Sequence, residues 1–356
     1  MMGERETSVP VKLGIYPRYS EQGASSRLRY YLYRDALIQA GFAPEFHPLL
    51  GDEYLRRLYS GRGKPKQLFL KALASRFFRT AAPEENLLIE YELFPFLPAA
   101  AELFLIGKRK FVLNFDDLVW EKYKSIPFLK NKYDRLIRRA AGVITANHLL
   151  FERAAKLNAN AILIPTVVDL QKYVSPPLLP KKEGFLRAAW IGTPVTYRAC
   201  FLPFAETFKK LCATFPLEFL IVARSDLPVI DGVPMTCVDW SEKDEAGFLA
   251  SCDLGVMPLV DDAFSRGKSA YKLIQYAAAG LPAVASPVGE NARFIREGVN
   301  GFSAVSPEEW LSAVGMLADS GRRTEMSHRT RELAFDCSLQ KYAPVMTDFL
   351  KRSFGR

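Results

Sequence analysis

The sequence has no run approaching the roughly 20 apolar residues that span a bilayer, so no transmembrane helix is predicted in its 356 residues. The opening MMGERETSVPVK contains no apolar h-region, and a secretory signal is not expected. Histidine is scarce: His47, His148 and His328 stand apart, without metal-ligand spacing. The 5 cysteines (Cys200, Cys212, Cys237, Cys252, Cys337) are odd in number and lack C-x-x-C spacing. They read as reduced, mostly buried thiols of a cytosolic protein. The loop after the first predicted strand holds Gly23 but no G-x-G-x-x-G, so a dinucleotide fingerprint is not supported. Gly267-Lys268-Ser269 lacks the first glycine of a P-loop, because Asp262 stands there. The leader DDAFSR is too acidic and bulky to cradle phosphates, which excludes an NTPase. No internal repeat or low-complexity run is visible.

What is present is an ordinary globular composition, 49% hydrophobic and 24% charged, at a length suited to two domains. The net charge of +9 is uneven. Residues 1–178 hold 27 Lys+Arg against 18 Asp+Glu, whereas residues 179–356 hold 21 of each. Much of the excess is Arg56, Arg57, Arg62, Lys64, Lys66, Lys71, Arg76 and Arg79, with no acid among them. Leu58, Tyr59, Leu68, Phe69, Leu70, Leu73, Phe77 and Phe78 interleave. This pattern at 56–79 suits either a solvated helix face or an anionic membrane surface. No nucleic-acid motif accompanies the charge, so no nucleic-acid partner is expected.

Strands alternate with helices throughout. Val11–Tyr16, a loop with Gly23, a helix over 27–39 capped by Ser25 or Ser26, and a strand from Pro44 form an opening βαβ unit. Asn86–Glu90 and Phe111–Asn114 are further strands, followed by Glu92 and by Asp116 and Asp117. Acids at strand C-termini sit where ligands bind in open α/β sheets. Asp117 also suits a helix cap ahead of Leu118–Lys122. Gly142–Ala146 and Ala161–Ile164 complete this series. The Pro- and Lys-rich 174–186 reads as a linker. A second series runs through Leu186–Ile191, Glu218–Val222, Cys237–Trp240 and Leu254–Met257.

The stretch at 264–302, FSRGKSAYKLIQYAAAGLPAVASPVGENARFIREGVNGF, organises the second series. A helix over 269–279, begun near Lys268, is closed by Gly280 and Pro282. Ala283–Ser286 is a short buried strand, and Pro287–Asn291 is the loop at its end. Lys268, Lys272 and Gln275 at helical spacing place two ammonium groups and an amide on one stripe. Beside a helix N-terminus this suits a diphosphate; an amphipathic helix with a solvated lysine face is the other reading.

The strings AAAGLPAVASPVGEN and GVNGF resemble the donor-binding signature of family-4-type retaining glycosyltransferases with the GT-B fold. The family's paired glutamates fall on Gly267 and Gln275, so the chain is similar to a bacterial subgroup lacking that pair. The resemblance extends more weakly over nearly the whole chain. It implies an α/β fold of two doubly wound Rossmann-like domains facing a cleft. These are an acceptor-binding domain at 1–175 and a nucleotide-sugar-binding domain at 176–337. A C-terminal helix at 338–356 packs back on the first domain. It implies an enzyme that moves a sugar from a nucleotide-sugar to an acceptor hydroxyl, with retention and without a metal or other cofactor. The donor-binding set it implies is Gly23, Gly192, Thr193, Arg198, Lys268, Tyr271, Lys272, Gln275, Val288, Gly289, Glu290 and Asn291. Arg198, Lys268 and Lys272 would meet the leaving diphosphate. Glu92, Asp116 and Asp117 form the acceptor side, with Asp116 as base or hydroxyl-orienting group. Partners are then a nucleotide-sugar and a saccharide or lipid-linked saccharide. The role is cell-surface polysaccharide or lipopolysaccharide synthesis, in the cytoplasm or peripherally on the inner face of the cytoplasmic membrane. A non-catalytic GT-B scaffold and a nucleotide-sugar epimerase are the competing classes.

Overall fold

The computed structural model describes residues 9–59, 65–79, 85–174, 176 and 178–355. The chain divides into two units, Met1–Thr166 with Tyr342–Arg356, and Val167–Lys341. In the first unit, six strands lie in the order β2-β1-β3-β4-β5-β6. They are β1 (Val11–Tyr16), β2 (Phe42–Phe46), β3 (Asn86–Glu90), β4 (Lys110–Phe115), β5 (Gly142–Thr145) and β6 (Ala161–Leu163). Every pairing is parallel. Near-continuous apolar runs such as β3 and β4 are what a parallel sheet covered on both faces requires. The strand order reverses between β1 and β3, the position where open α/β sheets take their ligands.

The second unit repeats this plan in the order β12-β11-β10-β7-β8-β9. Its strands are β7 (Leu186–Ile191), β8 (Leu217–Ala223), β9 (Met235–Asp239), β10 (Leu254–Met257), β11 (Ala283–Ala285) and β12 (Gly301–Ser303). These too are all parallel, with the reversal between β7 and β10. Alternation along β7 feeds two cores. Ala188 and Trp190 pack with Tyr197, Phe208 and Trp310, while Ala189 and Ile191 pack with Leu273 and Tyr276 on the other face.

The last helix, Leu339–Phe354, belongs to the first unit from Tyr342 onward. Lys110 Nζ donates to the Phe354 carbonyl at 2.7 Å, and Asn160 Nδ2 to Ser353 Oγ at 3.0 Å. Gly142 is where this helix meets β5: a Cβ there would lie 2.7 Å from Phe349 Cζ. The division falls at Thr166/Val167 and Lys341/Tyr342, earlier and later than the expected 175/176 and 337/338. The Pro- and Lys-rich 174–186 lies in the second unit rather than as a free link; its residues 175 and 177 lie outside the described residues. There Leu179 N–H donates to Ser251 Oγ at 2.6 Å, and Lys181 pairs with Asp253 at 2.8 Å.

Three local expectations are corrected. The helix after β1 begins at Ala24, not 27, with Gly23 at its N-cap. It breaks at Tyr30 and passes through a 3-10 turn, Tyr31–Tyr33, before resuming at Arg34–Gln39; Ser26 does not cap it but donates to the buried Glu90 carboxylate. The turn after β4 is a 3-10 helix, Val119–Tyr123, and no side chain caps it, so Asp117 is not its cap. The lysine helix starts at Tyr271, because Ala270 adopts a left-handed φ of 52° that ends any helical run from Lys268.

Candidate functional site

Two groups of site residues form, one at the switch point of each sheet. In the second unit the group is built by β7, β10, β11 and the helix Tyr271–Ala279. That helix is fixed from below: Tyr276 OH donates to the Val256 carbonyl at 3.0 Å, and its ring fills the space a Cβ at Gly255 would need. It ends as the sequence predicts, with Gly280 at φ 73° and Leu281 N–H returning to the Tyr276 carbonyl at 2.8 Å.

Lys272 lies on the first turn, with its ammonium 5.3 Å from the Trp190 ring centroid. Lys268 is not on the helix; its ammonium sits 3.9 Å from the Phe264 ring centroid in the preceding loop. The two are nonetheless close enough to act on each other. Burial, and then the Lys268 charge, pull Lys272 down to about 8, opposed by Cys200. Among the described residues neither lysine pairs with a carboxylate in an ion pair. Gln275 is buried further along the helix, and Tyr271 is half-buried at its start.

The loop after β11 comes against the end of the preceding helical turn, Ala263–Arg266. Gly289 has φ 57°, and a Cβ on it would stand 2.6 Å from the Arg266 carbonyl. Only glycine fits that approach without strain. The loop is wound on itself: Val288 N–H donates to Ser286 O at 2.8 Å, and Asn291 N–H to Val288 O at 3.2 Å. Asn291 is buried, and its Nδ2 donates to Ser286 O at 3.1 Å. The Val288 and Asn291 N–H groups are thus spent within the loop, while Gly289 is exposed. Glu290 stands at the N-cap of the short helix Asn291–Phe294. Asp262, in the place of a P-loop glycine, accepts Ser265 N–H at 2.7 Å as a helix cap.

At the end of β7, Gly192 leaves no room for a Cβ beside the Trp190 ring, 2.6 Å away. Thr193 forms a capping box with Thr196. Arg198 lies exposed on the π-helical turn Tyr197–Phe201, the turn that also carries Cys200 toward Lys272. Arg224, at the end of β8, is paired with Asp226.

In the first unit the group lies at the ends of β3 and β4. Gly23 packs on its own chain, where a Cβ would fall 2.4 Å from Tyr19 Cβ, which favours a packing role. Asp116 is half-buried and accepts the Tyr91 hydroxyl, while Asp117 is exposed. Glu92 is withdrawn from the acceptor set. It is buried, paired with Lys132 at 2.6 Å and Lys122 at 2.8 Å, and accepts the Tyr123 and Tyr133 hydroxyls. Burial alone would raise it, but Lys132 and then Lys122 hold it below the usual carboxylate range. Sequence reasoning missed Glu90, two residues earlier. It is buried, held by Ser26 Oγ at 2.6 Å and Arg18 N–H at 2.7 Å, and pushed up to about 7 by burial and then by Asp116. The available signal was a carboxylate ending the apolar run NLLIE at the switch strand.

Residues 188–320 match the family described as Glycosyl transferases group 1. No curated protein matches by sequence. Among solved structures, sucrose-phosphate synthase from Thermosynechococcus elongatus superposes with a TM-score of 0.67 at 15% identity, over 97% of this chain and 99% of that one. Anabaena Alr3699/HepE, solved in complex with UDP and glucose, gives 0.64 at 14% identity, over 96% and 100%. WaaG, a glycosyltransferase involved in lipopolysaccharide biosynthesis, gives 0.61 at 12% identity, over 96% and 99%. The chain thus has the GT-B fold, and the segment that matches the family, residues 188–320, lies within its second unit.

Proposed function

We propose that the chain is a glycosyltransferase that moves a sugar from a nucleoside-diphosphate donor to an acceptor hydroxyl. One observation carries this reading: Lys272 and Lys268 are held together, without an ion-pair carboxylate among the described residues, beside the Gly289 loop and inside the matched segment. Two neighbouring ammonium groups repel, and one is partly desolvated; a diphosphate supplies the charge that relieves both. In this reading the donor lies on the second unit. Lys268, Lys272, Gly289 N–H and Arg198 meet the departing diphosphate in place of a metal, and Gln275 meets a ribose hydroxyl. The acceptor lies on the first unit, its hydroxyl oriented by Asp116. The resemblance to retaining glycosyltransferases supports retention, and with no committed nucleophile read in the sequence a front-face mechanism is the form of it we infer. The acceptor O–H proton passes to a departing phosphate oxygen as the acceptor oxygen bonds to the anomeric carbon. Structures of this fold holding UDP and glucose support UDP as the first nucleotide to try. The WaaG likeness supports a saccharide or lipid-linked saccharide acceptor in cell-surface polysaccharide synthesis.

Calorimetric titration with UDP, GDP and ADP tests this. One of them is expected to bind, and its nucleotide-sugar to release nucleotide only when an acceptor extract is added. Binding of none would leave a non-catalytic scaffold. Conversion of the donor sugar without transfer would leave an epimerase.

No helix among the described residues is long and apolar enough to cross a membrane. The helix Lys66–Arg79 does present Leu70, Phe77 and Phe78 as exposed side chains alongside exposed Lys66 and Lys71. Arg76 is not part of that face; it is buried, donating to the Pro17 carbonyl at 3.0 Å. Arg62 and Lys64 lie outside the described residues. Exposed aromatics among lysines suit the headgroup layer of an anionic bilayer, where a lipid-linked acceptor would reside on the cytoplasmic side. Sedimentation with phosphatidylglycerol vesicles is expected to pellet the protein at low salt and release it at high salt. A Phe77→Ser/Phe78→Ser variant should stay in the supernatant. Equal sedimentation with neutral vesicles, or none at all, would leave an ordinary solvated face.

A further inference from the structure

Arg18 follows β1 at the switch point of the first sheet, and its backbone is pinned on both sides. Its N–H donates to Glu90 Oε2 at 2.7 Å, and its carbonyl accepts Leu50 N–H at 2.9 Å. The preceding carbonyl, of Pro17, accepts Leu49 N–H at 3.0 Å and Nη2 of the buried Arg76 at 3.0 Å. The side chain is not held in the same way. Arg18 is half-buried, and its Nε is closed off from solvent without an acceptor among the described residues. Its guanidinium lies 5.6 Å from the Tyr19 ring centroid and makes no ion pair among the described residues.

The carboxylates at this end of the sheet are engaged by other donors. Glu90 takes the Ser26 hydroxyl and the Arg18 peptide, and Glu92 takes Lys132 and Lys122. Asp52 takes the Ser20 hydroxyl, and Asp116 the Tyr91 hydroxyl. A guanidinium that has lost part of its water and gained no acceptor is a cost in the unliganded chain. Its planar fork of N–H donors matches an oxyanion, phosphate or carboxylate, through two parallel hydrogen bonds. The place suits a ligand, since it is the carboxyl end of β1 where the strand order reverses toward β3. The Arg18 peptide is bonded to Glu90, and the next residue, Tyr91, gives its hydroxyl to Asp116, so Arg18 and Asp116 belong to one connected group.

We propose that Arg18 is an oxyanion-binding residue of the first unit, and that the acceptor sugar carries a phosphate or a carboxylate for it. Calling the ligand the acceptor rests on the glycosyltransferase reading above; the oxyanion site rests on Arg18 itself. A hydroxyl held by Asp116 is common to every sugar, whereas Arg18 selects the charged ones. A neutral sugar leaves the guanidinium's donors unmet and is discriminated against for that reason.

The test uses the whole chain in saturating UDP, titrated by calorimetry with glucose 6-phosphate, glucuronate and glucose. One of the two anionic sugars is expected to bind at least about tenfold tighter than glucose, and which one says whether the oxyanion is phosphate or carboxylate. Arg18→Met should bring that affinity down to the level of glucose, and Arg18→Lys, which keeps the charge but not the fork, should retain part of it. UDP affinity should stay within about twofold of wild type in both variants. The melting temperature of Arg18→Met without ligands should not fall, since the guanidinium gives no hydrogen bond that the variant would lose. No measurable binding of either anionic sugar, equal affinity for all three, or an anionic preference that survives Arg18→Met overturns the inference alone. Loss of anionic-sugar binding together with UDP binding and stability would make Arg18 structural and overturns it too. Failure to bind UDP, GDP or ADP overturns the transferase reading instead; an Arg18-dependent preference measured without nucleotide would then still establish the oxyanion site.

Discussion

Lys272→Met is expected to weaken UDP binding about 10- to 100-fold and, in the same protein, to raise the melting temperature without nucleotide. The first effect follows from removing one charge-assisted contact to a diphosphate, on the order of 1.5–3 kcal/mol. The second follows from the cost of the ammonium in the unliganded chain. Its pKa falls from 10.5 to about 8, chiefly by burial and then by Lys268. A lysine whose folded pKa is depressed carries a penalty that is complete below pH 8. That penalty is relieved as pH rises from about 8 toward 10.5. At pH 7 the methionine variant escapes it, a gain of about 1–3 kcal/mol by linkage. The methionine stem also keeps the packing against Trp190. The opposite signs matter: a lysine that only packed would cost stability on removal and leave UDP binding unchanged. The same linkage predicts proton uptake when UDP binds above pH 8, because the phosphate charge draws Lys272 back to its ammonium form. Calorimetry in two buffers of different ionisation enthalpy reads that uptake directly. Unchanged affinity, or a lower melting temperature with full affinity, would remove Lys272 from the site.

The strands were the legible part of this chain. Val11–Tyr16, Asn86–Glu90, Leu186–Ile191 and Leu254–Met257 are apolar runs, and the structure keeps the same bounds. A sheet covered on both faces writes itself into sequence as uninterrupted hydrophobicity. β12 was not legible, because Asn300-Gly301 reads as a turn and the strand is three residues long. Its Gly301 is needed for close packing, since a Cβ there would lie 2.1 Å from the Ala283 carbonyl. On the candidate site, the lysine segment and the glycine loop were readable because their residues are near in sequence. What brings them together was not. Ala270 carries no sequence sign of a left-handed backbone, yet that one residue takes Lys268 off the helix. In the first unit the decisive contacts join residues 64 and 40 positions apart, Ser26 to Glu90 and Glu92 to Lys132. No local pattern announces them, so Glu92 read as an acceptor group and Glu90 as the end of a strand. Local spacing reports a face of a helix; it does not report which carboxylate a distant lysine has already taken.

Lys132→Met is expected to cost about 3–5 kcal/mol of stability, the loss typical of breaking a buried ion pair from one side. Lys132 is 1% exposed and gives its ammonium to Glu92 at 2.6 Å, Glu102 at 2.8 Å and the Phe94 carbonyl at 2.6 Å. All three N–H donors are thus used. Removing it leaves Glu92 with Lys122, but leaves Glu102 fully buried with, among the described residues, only the N–H groups of Leu93 and Phe94. Burial already raises Glu102 above the usual carboxylate range, with Lys132 as the main opposing influence. The sign of the pH dependence follows. In the wild type, Glu92 is held low, so its contribution is present above the unfolded carboxylate value and lost as pH falls through its lowered one. In the variant both carboxyls move up, so stability is lost as pH rises above about 4.5. The gap between the two proteins therefore narrows toward acid pH in denaturant melts. A Glu102→Gln change added to Lys132→Met should recover part of the loss, since an amide oxygen still accepts Leu93 N–H. The consequence reaches the acceptor side. The segment this cluster clamps, between β3 and Phe96, contains Tyr91 at φ 60° and Phe96 at φ 67°, non-glycine residues in left-handed conformations. Such residues cost about 1–3 kcal/mol each and persist where the surroundings overdetermine them. Here Lys132 supplies that overdetermination from a helix that touches no predicted substrate. At a temperature where the variant is still folded, Lys132→Met should lower acceptor use while leaving UDP affinity intact. Loss of both together would mean that the cluster supports the fold alone.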